Sequence, residues 1–321
     1  MTWLIAVAVA FAFVNGFNDG GALLSVGLSV RGHKPLTGLL VAAAAVAIAP
    51  LLVGTRVAET LANRLVTFDG SAGELALGVA VVAAVAVTWL LAARGLPTSL
   101  TLAVVGAIAG AGTGADLPVS WSVVWTVLLL AAVAPVAGLG VAWALARLVR
   151  AWPSKVPLNR RVRQWHPVGF GLQCLAYGAN DGQKMLAVLA IAAGTSGSGG
   201  VPVVGWQLAT VAGAFLVGSV FGLPRVARTL GSGVVPTRPH ENVVTEVASA
   251  TVVLGTGAIG SPVSMTQAIA GGLVGSAIGR GLGGIRWHAI SRLGAAWVVT
   301  LPSAFATAAL ATLAALAVTG G

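Results

Sequence analysis

The sequence predicts an all-α polytopic membrane protein. It is built as two inverted-topology repeats of about five spans each, with broken helices at two Asn-Asp motifs. Three observations predict this. Of 321 residues, 57% are hydrophobic and 8% charged, against about 25% charged in a soluble domain. Mean hydropathy is +0.95. A strongly basic segment divides the chain near its middle, and short polar motifs recur in the same order on either side of it.

A span needs roughly 20 apolar residues, which leaves room for about ten. They fall at 3–30, 36–54, 74–93, 97–114, 120–148, 167–194, 202–222, 241–259, 262–280 and 287–318. The segment from Arg147 to His166 holds Arg147, Arg150, Lys155, Arg160, Arg161 and Arg163, with Pro153 and Pro157. It reads as the central cytoplasmic loop, dividing the chain into 1–146, 147–166 and 167–321. The positive-inside bias then places Arg31, His33 and Lys34 inside, with Arg94, Arg225, Arg228, Arg238, Arg280, Arg286 and Arg292. Arg56 and Arg64 are exceptions, landing outside. Both chain ends fall outside, and the N-terminus, lacking a basic region, reads as a retained span rather than a cleaved leader.

The same arithmetic excludes other classes. The pI of about 11.6 comes from loop arginines and few acids rather than from a nucleic-acid-binding face. One cysteine, Cys174, allows no intrachain disulfide and no Cys-based zinc site. His33, His166, His240 and His288 lie at span ends or loops, without metal-ligand spacing.

The repeat is read from three pairs of motifs. NGFND at 15–19 matches YGAND at 177–181. RVAETL at 56–61 matches RVARTL at 225–230. PTSLT at 97–101 matches PVSMT at 262–266. Five spans per half would insert the second half upside down, the design that lets two similar halves exchange roles in alternating access. A carboxylate deep in a membrane costs several kcal/mol or more, so Asp19 and Asp181 at matching positions are candidates for binding a coupling cation or proton. Glu246 is a third; Glu241 reads as an interfacial cap. Glycines flank both Asn-Asp pairs, and each span is too long for one straight crossing, so both helices are expected to break there. A break frees amides for anions and carbonyls for cations. Pro97 and Pro262 suit a first helical turn. Ser99, Thr101, Ser264 and Thr266 then place hydroxyls at two helix starts, with Asn18 and Asn180 nearby: donors for a small tetrahedral oxyanion. Gln183 and Lys184 follow Asp181 where the first half has Gly21 and Ala22. Lys184 either attracts the anion or neutralises Asp181.

These motifs resemble the inorganic phosphate transporter (PiT) family, in order and over essentially the whole chain. That family repeats Gly-x-Asn-Asp, with Gln-Lys after the second copy, and has Pro-x-Ser-x-Thr blocks and a Gly-x-x-Val-x-x-Thr pattern, here Gly54, Val57 and Thr60. The resemblance implies a symporter, not an enzyme, importing phosphate across the cytoplasmic membrane with a proton or sodium ion. It also implies a homodimer, and phosphate travelling in some members as a neutral complex with a divalent metal. Phosphate would be bound by Asn18, Ser99, Thr101, Asn180, Gln183, Lys184, Ser264 and Thr266, and no cofactor is expected. Leu100, Leu102, Met265 and Gln267 stand where the family often has Thr-Thr-His, and Val46–Pro50 lacks a glutamate common in the second span. These departures leave the coupling cation open. A sulfate permease of the same fold is the alternative. An intramembrane aspartyl protease, with the two aspartates as a dyad, is the remote one.

Overall fold

A computed structural model describes residues 2–27, 34–68, 70–94, 98–153, 155–196, 200–231 and 234–319. The described residues are helical, with one isolated bridge between Val66 and Val119. In chain order the helices are α1 (Thr2–Gly27), α2 (Pro35–Val53), a short α3 (Arg56–Glu59) that continues as a π-helical turn Thr60–Arg64, α4 (Gly70–Ala93), α5 (Leu100–Gly114) and α6 (Trp121–Ala151). After these come α7 (Leu158–Tyr177), a π-helical turn Gly178–Gly182, α8 (Gln183–Ala192), α9 (Gly205–Gly231), α10 (Pro239–Ala258), α11 (Met265–Ala277) and α12 (Trp287–Thr319).

Polarity runs opposite to that of a water-soluble bundle. Trp125, Val136 and Leu310 are each about two-thirds exposed, whereas Asn18, Asn180, Lys184 and Glu246 are 0% exposed. Among the described residues, six helices are long and apolar enough to cross a membrane: α1, α2, α4, α6, α9 and α12. α5 and α11, with 15 and 13 residues, are shorter than a bilayer's hydrocarbon core and almost wholly buried.

Glycine stripes bring the inner helices together. A Cβ on Gly16 or Gly20 of α1 would lie 2.0 Å from Phe215 O and 2.3 Å from Ser219 Oγ of α9. Gly218 and Gly222 of α9 press equally on Phe13 and Phe17 of α1. This is the small-residue packing that joins helices in lipid, where apolar burial supplies no drive. The short helices use the same device. Gly106, Gly110 and Gly114 seat α5 on α12, and Gly271 and Gly275 seat α11 on α6.

Several expectations are corrected. α1 is not broken at Asn18-Asp19; it is α-helical from Thr2 to Gly27. Its glycines serve close packing against α9 rather than a break. At Gly178–Gly182 the helix widens into a π turn and continues, also without a break. The basic segment is shortened from both sides: α6 reaches Ala151 and α7 starts at Leu158. α11 starts after Ser264, two residues beyond Pro262, because Ser264 is still extended (φ −106°, ψ 121°). Pro97, Arg31, His33 and the side chains of Arg225 and Arg228 lie outside the described residues, and the short helix α3 was not foreseen.

Candidate functional site

α5 and α11 begin near each other. Their starts are crossed: Thr101 Oγ1 donates to Val263 O (2.7 Å), and Thr266 Oγ1 to Thr98 O (3.4 Å). Ser99 is an N-cap whose Oγ accepts from Leu102 N (3.3 Å), which satisfies one free amide of the first turn. Ser264 Oγ lies 2.7 Å from Thr266 Oγ1. All four hydroxyl residues are at most 2% exposed.

Each Asn-Asp motif holds the helix start that belongs to its own half. Asn18 Nδ2 donates to Thr98 O (3.1 Å), and Thr98 N donates to Asn18 Oδ1 (3.2 Å). Asn180 Nδ2 donates to Ser261 O (3.2 Å), and Val263 N donates to Asn180 Oδ1 (3.1 Å). A carboxamide suits this position because it alone offers one acceptor and one donor group in a flat, rigid unit. Both asparagines are engaged with backbone, so they position the turns that lead into α5 and α11.

The aspartates sit beside these clamps. Asp19 takes Asn18 Nδ2 (2.6 Å) on Oδ1 and the Tyr177 hydroxyl (3.2 Å) on Oδ2. The Tyr177 hydroxyl also reaches Asn15 Oδ1 (3.1 Å), so the side chain opening the second motif binds the first. Asp181 Oδ1 takes Lys184 Nζ at 2.7 Å, and Asp181 Oδ2 is buried with no hydrogen-bond partner. Lys184, 0% exposed, spends its other two donors on Thr101 Oγ1 (2.6 Å) and Val263 O. Its ammonium neutralises Asp181 here and ties the second motif to both helix starts.

Gln183 turns elsewhere. Its Oε1 accepts from Val57 N (2.9 Å) and Ala58 N (3.2 Å), and its Nε2 donates to Gly54 O (2.7 Å). Thr60 Oγ1 donates to Gly260 O at 2.8 Å. The Gly54, Val57 and Thr60 pattern therefore exists because α3 and its π turn close over the second motif. Glu246 is set apart from the aspartates. It pairs with His166 Nδ1 (2.9 Å to Oε1) across the α7–α10 contact, where a Cβ on Gly169 would lie 2.9 Å from Oε2. The sequence reading left His166 at a span end; it is 5% exposed. The only signal was its place one helical turn before Phe170 on a buried face. Glu241 caps Arg238 N (2.7 Å) and pairs with Arg280 Nε (2.6 Å).

The profile of the phosphate transporter family matches residues 15–173 and 168–308, nearly the whole chain in two segments. The chain belongs to the phosphate transporter family. With six apolar helices of spanning length among the described residues, this member is a membrane protein. It is 32% identical to a probable low-affinity inorganic phosphate transporter of Rhizobium meliloti (strain 1021), over 96% of this chain and 94% of that one. A protein of the same name from Bacillus subtilis (strain 168) is 26% identical over 97% and 96%. Among solved structures, a sodium-dependent phosphate transporter superposes with a TM-score of 0.86, covering 99% of this chain and 100% of that one at 19% identity. That likeness shows the shared fold. Family membership and the helical fold agree with the resemblance read from the motifs, and they leave no place for the protease alternative.

Proposed function

We propose that the chain is a symporter that moves inorganic phosphate across the cytoplasmic membrane, driven by a proton or sodium gradient, through alternating access of two inverted repeats. One observation carries the reading: two buried helix starts, each clamped by an asparagine and bordered by a buried aspartate, are hydrogen-bonded to one another. Helix starts and hydroxyls are donors for a tetrahedral oxyanion, and the aspartates are acceptors for a cation. The parallel use of α5 on α12 and α11 on α6 supports the inverted repeat.

The Asp181–Lys184 pair supplies a coupling step. Asp181 Oδ2 is the acceptor left for a cation. A proton or sodium ion bound there competes with Lys184 Nζ, and the released ammonium gains the phosphate as a new partner. Each solute then favours the other's binding, and such coupling is reciprocal.

The test is phosphate uptake by proteoliposomes with imposed proton or sodium gradients, each with and without Mg²⁺. The expected result is saturable uptake that follows one gradient and resists a large excess of sulfate. Uptake blocked equally by sulfate would favour the sulfate permease; uptake indifferent to every gradient would remove symport.

A further inference from the structure

Arg56 and Arg64 run against the charge bias that orients the rest of the chain, and the structure gives them different roles. Arg56 Nη1 donates to Ala258 O (2.7 Å), joining α3 to the end of α10. Arg64 makes no hydrogen bond or ion pair among the described residues. It lines a cavity of about 220 Å³ together with Thr60, Ser122, Thr126, Gly260 and Ser261. No carboxylate is among the lining residues. Val123, Val127, Leu130 and Ile259 complete the lining, and the cavity has room for a small oxyanion.

The floor of this cavity is the roof of the site. Gly260 O accepts from Thr60 Oγ1 (2.8 Å), and Ser261 O accepts from Asn180 Nδ2 (3.2 Å). A single backbone layer, 260–261, therefore lies between the cavity and the second Asn-Asp motif. The charge bias puts this end of the bundle outside the cell, opposite the connection between α6 and α7.

We propose that this cavity is an outward-facing binding site where inorganic phosphate waits before it reaches the Asn-Asp motifs, with Arg64 as the group that captures it. The inference rests on the phosphate-transport reading above. A guanidinium offers a planar fork of donors that fits a tetrahedral oxyanion in bidentate fashion. Ser122 and Thr126 line the same cavity, and no carboxylate is among the lining residues to oppose an anion there. Because Arg64 is exposed, salt screens this capture.

The experiment measures initial rates of phosphate uptake in cells carrying wild type, Arg64→Gln, Arg64→Lys or, as a control at the other end of the bundle, Arg94→Gln. Arg64→Gln is expected to raise KM about 3- to 10-fold with Vmax changed less than twofold. Arg64→Lys should lie between it and wild type, and Arg94→Gln should match wild type. The KM of wild type should rise with added inert salt more than that of Arg64→Gln. In purified protein in zwitterionic lipid, phosphate should slow modification of Arg64 by an arginine-selective dicarbonyl. An unchanged KM, a fall in Vmax at constant KM, or an equal rise in the Arg94→Gln control overturns the proposal. Protection by an anionic lipid but not by phosphate also overturns it, since the cavity would then hold a headgroup. Absence of phosphate uptake in wild type would sink the transport reading and this inference together; normal wild-type uptake with an indifferent Arg64→Gln sinks this inference alone.

Discussion

The two Asn-Asp motifs use their asparagines alike and their aspartates differently. Asn18 and Asn180 each clamp the turn before a short helix with one donated and one accepted hydrogen bond. Asp19, however, lies in regular α-helix and takes neutral donors from Asn18 and Tyr177. Asp181 lies in a π turn and takes the ammonium of Lys184. A π turn fits one extra residue into the helix and shifts the residues after it around the axis. Gln183 and Lys184 follow that shift directly, one reaching α3 and the other the crossed helix starts. The first copy has Gly21 and Ala22 there, with no polar side chain to reach anything. The comparison teaches that the clamp is common architecture, while charge handling and closure over the site are concentrated in the second copy.

The largest expected effect separates the aspartates. Asp181→Asn leaves the Lys184 ammonium buried without its charge partner, a loss of about 3–5 kcal/mol when one member of a buried pair is removed. Asp19→Asn keeps an acceptor for Tyr177 and should cost about 1 kcal/mol. Both variants should lose phosphate uptake, and thermal unfolding in detergent should distinguish them by a much lower midpoint for Asp181→Asn. Similar midpoints would remove the asymmetry. Next, Asp181→Asn combined with Lys184→Met should recover much of that lost stability, because neither charge is left alone, while uptake stays absent. A double mutant no more stable than Asp181→Asn would mean that Lys184 does not act through Asp181.

A smaller effect belongs to Gln183. Gln183→Ala removes three bonds to Gly54–Ala58 and should cost about 1–3 kcal/mol through buried groups left unsatisfied. Amide exchange at Val57 and Ala58 should rise more than at the Asn18 clamp; uniform protection across both would argue against a local closure. The smallest difference is expected between Asn18→Ser and Asn180→Ser. Each shortens the side chain and breaks one clamp, and Asn18→Ser also removes the bond to Asp19 Oδ1, so it should cost more by about 0.5–1.5 kcal/mol. A much wider gap, or a larger loss at Asn180, would show that the clamps are not equivalent.

How much of this was legible depends on the range of each signal. Asp19 and Asp181 stood out because acids are few and both follow Asn. Their surroundings did not, because Lys184 is three residues from Asp181 while Thr101 and Val263, its other partners, come from distant segments. Gly16 and Gly20 misled: a glycine beside a polar motif reads equally as a helix break or as room for a neighbouring helix. Only α9, some 200 residues on, decided for the second. His166 was read as a span-end residue because Glu246 meets it only when α7 packs on α10. The resemblance implied that Gln183 holds phosphate; the contacts of its carboxamide with Gly54, Val57 and Ala58 could not be read from the sequence, because those residues lie more than 120 positions away.

By itself, the sequence determined the class of molecule and the symmetry of its rare polar groups. Hydropathy is a sum over neighbouring residues, so it needs no knowledge of distant contacts, and a repeated motif is visible wherever it falls. The tertiary structure decided which donor meets which acceptor, which glycines face a helix, and that Arg64 borders a cavity roofing the second motif. Those outcomes follow from burial: a polar group taken from lipid or water must find a partner within about 3 Å. In this chain many of the decisive partners lie 80 or more residues away.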